Sequence, residues 1–130
     1  NWNIVKKLRK KCKNAIVKMY MTKGCIEYYF LLHYEKTQPL IATVQDKENL
    51  LKRLSTKDHC STYKKGDKDS IWQIAERYET AIENGEWCLN RIADEMQGTM
   101  TEDAIAEKLY FSDSTFTNVH QAVQHLISLA

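Results

Sequence analysis

The stretch Thr101–Ala130, TEDAIAEKLYFSDSTFTNVHQAVQHLISLA, decides how the chain is read. Its spacing predicts two helices joined by a tight turn, the first from Glu102 to about Leu109 and the second from about Ser114 to Ser128. Ile105, Ala106 and Leu109 form an apolar stripe on the first, and Phe116, Val119, Val123, Leu126 and Ile127 on the second. The small side chain of Ala106 lets a second helix cross closely, which a helix-turn-helix requires. Ser112 or Asp113 is expected to cap the second helix, its side-chain oxygen accepting an orphan backbone N–H. This arrangement implies a DNA-binding unit.

Working outward, the preceding residues also favour helix, since only four Gly and one Pro interrupt the chain. Ile71, Ile74, Ala75, Tyr78, Ala81 and Ile82 fall on one helical face, with Asp69 or Ser70 as its cap. Asn84-Gly85 is expected to end or kink that helix. A new one should start at Glu86, carry Trp87, Leu89, Ile92, Ala93 and Met96, and stop at Gln97-Gly98.

Residues 2–22 predict an amphipathic helix with Val5, Leu8, Cys12, Ala15, Ile16 and Met19 on its apolar side and Gly24 as its stop. Its other side carries Lys6, Lys7, Arg9, Lys10, Lys11 and Lys13. Such a face suits a phosphate backbone, where neutralising phosphates releases counterions; the same helix would also serve for dimerisation or packing. Residues 25–35, CIEYYFLLHYE, are expected to be helical. The alternative is a short hairpin within 25–44 that pairs them with residues 39–44. Tyr20, Tyr28, Tyr29 and Tyr34 could stack on bases, although core aromatics are the commoner case. Asp46 is expected to cap a short helix that buries Leu50, Leu51 and Leu54.

Charge is unevenly distributed. Residues 1–69 hold 16 Lys and Arg against 7 Asp and Glu, and residues 70–130 hold 3 against 10. An imbalance of this size implies nucleic-acid contact through the basic half, or docking of the two halves on each other. Polar residues 56–69 read as a linker. The expected organisation is thus a basic N-terminal helical unit over 1–55, this linker, and a helical domain over 70–130 that contains the helix-turn-helix.

With 43% hydrophobic and 28% charged residues the composition is globular. No uncharged apolar run is long enough to span a membrane, and the basic start lacks the apolar core of a secretory signal. The absent initiator Met fits either a start within a longer protein or a processed end. Cys12, Cys25, Cys60 and Cys88 show no CxxC spacing, so a reduced, cytoplasmic protein is expected. His59-Cys60 has no second ligand pair at finger spacing, which disfavours zinc. His33, His59, His120 and His125 join no nucleophile or carboxylate in a recognisable pattern, and no phosphate loop is present. Neither a cofactor nor an enzyme is expected.

Residues 83–130 resemble the C-terminal part of ArpU/RinA-type regulators of Gram-positive phages and prophages. The resemblance rests on a helix ending before Gln97-Gly98, Ile105-Ala106, Leu109-Tyr-Phe-Ser112, and then Phe116, Val119-His120, Ala122-Val123 and Leu126. It implies a helix-turn-helix similar to region 4 of sigma factors, in a transcription regulator that binds promoter DNA or works with RNA polymerase. In place of the Arg or Lys usual on the recognition helix, this chain has Ser114, Thr115, Thr117, Asn118, Gln121 and Gln124, with Asp113 acidic. Base-edge contact is therefore expected from Ser112, Ser114, Thr115, Thr117, Asn118 and Gln121, since Asn and Gln pair bidentately with adenine. Phosphate contact is expected from the basic residues between Lys6 and Lys13. The rival expectation is a non-enzymatic adaptor or inhibitor that uses the same helix pair to bind another protein.

Overall fold

A computed structural model describes residues 2–95 and 101–130. The described chain is mainly helical: α1 (Trp2–Lys11), α2 (Ile26–Leu31), α3 (Val44–Ser55), α4 (Lys68–Ala75), α5 (Tyr78–Glu95), α6 (Glu102–Phe111) and α7 (Val119–Ser128). A two-stranded antiparallel sheet joins β1 (Thr22–Lys23) to β2 (Phe116–Thr117), pairing Thr22 with Thr117 and Lys23 with Phe116. It ties the two ends of the chain together. The expected stop at Gln97-Gly98 lies outside the described residues.

Two apolar clusters hold the helices. Tyr28, Leu31 and Leu32 of the α2 region meet Leu50 and Leu54 of α3, Cys60, Ile74 of α4 and Cys88 of α5. Leu89 and Ile92 of α5 meet Leu109 of α6 and Phe116 of β2. α3 starts as helix because Thr43 and Asp46 form a capping box: the Asp46 N–H donates to Thr43 Oγ1 at 3.1 Å, and the Thr43 N–H donates to Asp46 Oδ2 at 2.9 Å. Thr43 is thus the cap, and Asp46 is the third helical residue rather than the cap expected of it. Leu50 and Leu54 are buried as expected, whereas Leu51 is 41% exposed. Asp67, not Asp69 or Ser70, caps α4.

α1 is half the expected length. It stops at Lys11, and the chain is extended by β1, so Ile16 is 89% exposed rather than part of a packed stripe. Tertiary hydrogen bonds override the helical periodicity here. The Met21 N–H donates to Asn118 Oδ1 at 2.7 Å, and Asn118 Nδ2 donates to the Met19 carbonyl at 3.1 Å. Trp2 and Val5 are the residues that α1 buries. The Trp2 ring lies 6.0 Å from that of Tyr110 on α6.

Residues 39–44 form no strand. The Ile41 N–H instead donates to Thr115 Oγ1 at 3.1 Å, so the hairpin alternative within 25–44 gives way to a long-range tether. Tyr28 and Tyr29 are buried, which places them in the core. The helix continues through Asn84-Gly85 without a break. Asn84 is buried and its Nδ2 donates to the Leu32 carbonyl at 2.7 Å, joining α5 to the end of α2.

In the 56–69 segment Cys60 is fully buried, and the Tyr34 hydroxyl donates to the Asp58 carbonyl at 2.7 Å. Ion pairs join the basic and acidic halves: Lys6 with Glu107 at 3.0 Å, Lys36 with Glu83 at 3.4 Å and Arg77 with Asp58 at 3.1 Å. All four thiols are free. No helix among the described residues is long and apolar enough to cross a membrane.

Candidate nucleic-acid interface

The basic residues of the N-terminal segment divide into two groups. Two serve the fold. Lys6 pairs with Glu107. Arg9 Nε donates to the Val17 carbonyl at 2.9 Å, and its guanidinium lies 5.8 Å from the centre of the Trp2 ring. The other four, Lys7, Lys10, Lys11 and Lys13, are exposed, and none forms an ion pair among the described residues. Lys10 and Lys11 close the last turn of α1, where cations also complement the helix dipole. The solvated cationic surface is therefore the short helix and the turn after it.

The expected base-edge residues are placed differently. Ser112 ends α6: its hydroxyl donates to the Leu109 carbonyl at 2.9 Å and accepts from the Ser114 N–H at 3.2 Å. It does not cap the next helix. Ser114 is exposed and Gln121 half-buried. Thr115, Thr117 and Asn118 differ from the expectation of solvent-facing side chains, being only 5%, 0% and 5% exposed. Thr117 Oγ1 shares a hydrogen bond with Thr22 Oγ1 at 2.9 Å, and Asn118 holds the backbone at Met19 and Met21. Polar groups spent in this way satisfy buried partners.

α7 accordingly begins at Val119, five residues later than expected, and Asn118 precedes it without a side-chain capping bond. The connection between α6 and α7 carries a strand where a bare turn was expected. Its buried end is completed by His120, which is fully buried with Nε2 3.0 Å from Glu86 Oε1.

Titratable groups elsewhere follow their surroundings. Burial lowers His33, whose Nδ1–H donates to the Tyr29 carbonyl at 3.0 Å. Burial first, and then the charge of Glu27, push Tyr63 up to about 12, so its hydroxyl stays protonated and donates to Glu27 Oε1 at 3.2 Å. His59 is exposed at φ +66 while the adjacent Cys60 thiol faces the core. The described residues include no group of three or more His, Cys, Asp or Glu able to hold a metal ion.

A second basic group forms only in the fold. Lys64 and Lys65 belong to the polar 56–69 stretch, but the fold brings them beside Lys47 of α3 at one cleft. The only sequence signal was the tripeptide Tyr63-Lys64-Lys65, an aromatic residue interleaved with cations.

One family model matches residues 1–126, under the description RloB-like protein. The chain belongs to the RloB-like protein family. The matched span takes in the basic α1, the 56–69 segment, α6 and all but the last two residues of α7 of this RloB-like chain. No curated protein and no solved structure matches it.

Proposed function

We propose that this RloB-like chain is a DNA-binding protein that takes its affinity from phosphate contacts along α1. The observation that carries the reading is the exposed cluster Lys7, Lys10, Lys11 and Lys13, which has no ion-pair partner among the described residues although the rest of the chain is rich in carboxylates. Solvated ammonium groups on one short helix and the turn after it are the kind of surface that neutralises phosphates and releases their counterions. A role in transcription regulation, with α6 and α7 as a helix-turn-helix, rests on the resemblance of residues 83–130 to ArpU/RinA-type regulators. On this proposal Ser114 and Gln121, of the residues expected at base edges, are the ones left to meet them, so sequence preference should be shallow beside the phosphate-driven affinity.

The test is a fluorescence-anisotropy titration of labelled duplex DNA from about 50 to 200 mM salt. Four phosphate contacts predict a slope of about −3.6 in log K against log salt. Replacing the four lysines by Gln should flatten the slope and leave the circular dichroism spectrum unchanged. Absence of duplex binding at low salt would overturn the reading. It would favour the second one, a non-enzymatic adaptor that binds another protein, for which the exposed Leu126, Ile127 and Leu129 speak.

A further inference from the structure

A cleft of about 640 Å³ opens between the start of α2, α3 and the 56–67 loop, within the size range of small-ligand sites. No residue of α1 lines it. Its walls combine two chemistries. Ile26 and Leu51 are 38% and 41% exposed, so two aliphatic side chains face solvent across the opening. Beside them the Tyr63 ring is fixed at both ends. Its centre lies 5.9 Å from that of the Phe30 ring, with the planes at 77°, and its hydroxyl is bound to the buried Glu27. The ring is therefore ordered before any ligand arrives, which spares the ordering cost of binding.

Lys47 from α3 and Lys64 and Lys65 from the loop add three ammonium groups to the lining, and all three are exposed. None forms an ion pair among the described residues. A ligand that suits both parts has a flat, largely apolar body joined to a multiply charged anion. Aromatic walls accept any nucleobase by stacking, while basic rims track phosphate.

We propose that this cleft binds a nucleobase together with its attached phosphate, the base against Tyr63, Ile26 and Leu51 and the phosphate at Lys47, Lys64 and Lys65. The ligand is either a free nucleotide or one unit of an unpaired strand. The proposal goes beyond duplex binding at α1 and does not depend on it.

The experiment titrates the full chain with a ribose-labelled fluorescent ATP and, separately, with a short fluorescein-labelled oligothymidylate. Saturable binding of either probe is expected. Tighter binding of the labelled ATP points to the free nucleotide, and tighter binding of the oligothymidylate to the strand. The double variant Lys64→Glu/Lys65→Glu and the single variant Lys47→Glu, on separate elements, should each weaken binding, the double by about tenfold or more. The Gln variant of Lys7, Lys10, Lys11 and Lys13 should leave the labelled ATP affinity unchanged, which separates this site from α1. The proposal is overturned if neither probe binds, if both cleft variants bind as the parent chain does, or if inorganic pyrophosphate competes as well as unlabelled ATP, since the base would then contribute nothing.

Discussion

The His120 ring occupies the space where a β-carbon on Gly85 would stand. A carbon built there would lie 2.3 Å from His120 Nδ1 and 2.6 Å from its Cγ. α7 can approach α5 this closely only because residue 85 has no side chain, and the approach brings His120 Nε2 to Glu86.

The substitution Gly85→Ala sets two effects against each other. Alanine is better in a helix by about 1 kcal/mol, but overpacking a fixed ring costs about 1–3 kcal/mol. A net loss of stability is expected in urea denaturation. The double variant with His120→Ala should reverse the sign, because the ring is gone and only the helix preference remains. A stabilised Gly85→Ala in the parent background would sink the packing argument.

Asn118 makes three hydrogen bonds to residues 19–21: its Oδ1 accepts from the Met21 N–H, its Nδ2 donates to the Met19 carbonyl, and its own N–H donates to the Met21 carbonyl. Asn118→Ala should cost about 1–3 kcal/mol, the usual consequence of leaving such groups unpaired. A solvent-facing base reader would instead leave stability within about 0.5 kcal/mol and change DNA affinity alone. Thermal melting together with anisotropy separates the two cases.

The capping box of α3 predicts a cost of about 1 kcal/mol for Thr43→Ala. Asp46 is held below its ordinary carboxyl value of 3.8 by the N–H groups of Ala42 and Thr43. A carboxyl lowered in the folded state stabilises above the unfolded value and loses that contribution as pH falls through the folded one. Asp46→Asn should therefore blunt the acid sensitivity of the urea midpoint below about pH 4.

His33 gives a separate dependence at milder pH. Burial lowers it from 6.5, so the unfolded chain takes up a proton there while the folded chain does not. Its stability contribution is complete above the unfolded value and falls as pH drops below about 6.5 towards the lowered folded value. Urea midpoints measured between about pH 7.5 and 5 should decline, and His33→Gln should lessen the decline. A parent midpoint flat across that window would rule the effect out.

Much of the fold was legible where a helix buries one stripe. Leu50 and Leu54 of α3, Ile74 of α4, and Ala106 and Leu109 of α6 are buried at the expected positions. Three features were not. The 2–22 periodicity was satisfied on paper by Ile16 and Met19, but the helix ends at Lys11, Ile16 is left exposed, and the chain that follows pairs with a distant strand at Thr22–Lys23. Gly85 looked like a helix end, since glycine weakens helices; the close approach of His120 is invisible without the fold. The polar residues around Phe116, Ser112–Thr115 and Thr117–Asn118, looked like a surface because polar residues usually are one. The candidate site was half-legible for the same reason: local sequence placed cations on α1, but that Lys6 is taken by Glu107 depended on a residue far along the chain, and that Arg9 is taken by the Val17 carbonyl depended on the chain leaving the helix after Lys11.

By itself the sequence determined a mainly helical chain with a basic first half and an acidic second half, because periodicity and charge are local properties. Only the tertiary structure decided what residues 112–120 do. Antiparallel pairing with Thr22 and Lys23 buries Thr117, the backbone at Met19 and Met21 holds Asn118, Ile41 holds Thr115, and the glycine at position 85 lets His120 follow them inward. Polar side chains bury when their hydrogen bonds are satisfied from elsewhere in the chain, and the partners lie 97 residues from Asn118, 95 from Thr117 and 74 from Thr115.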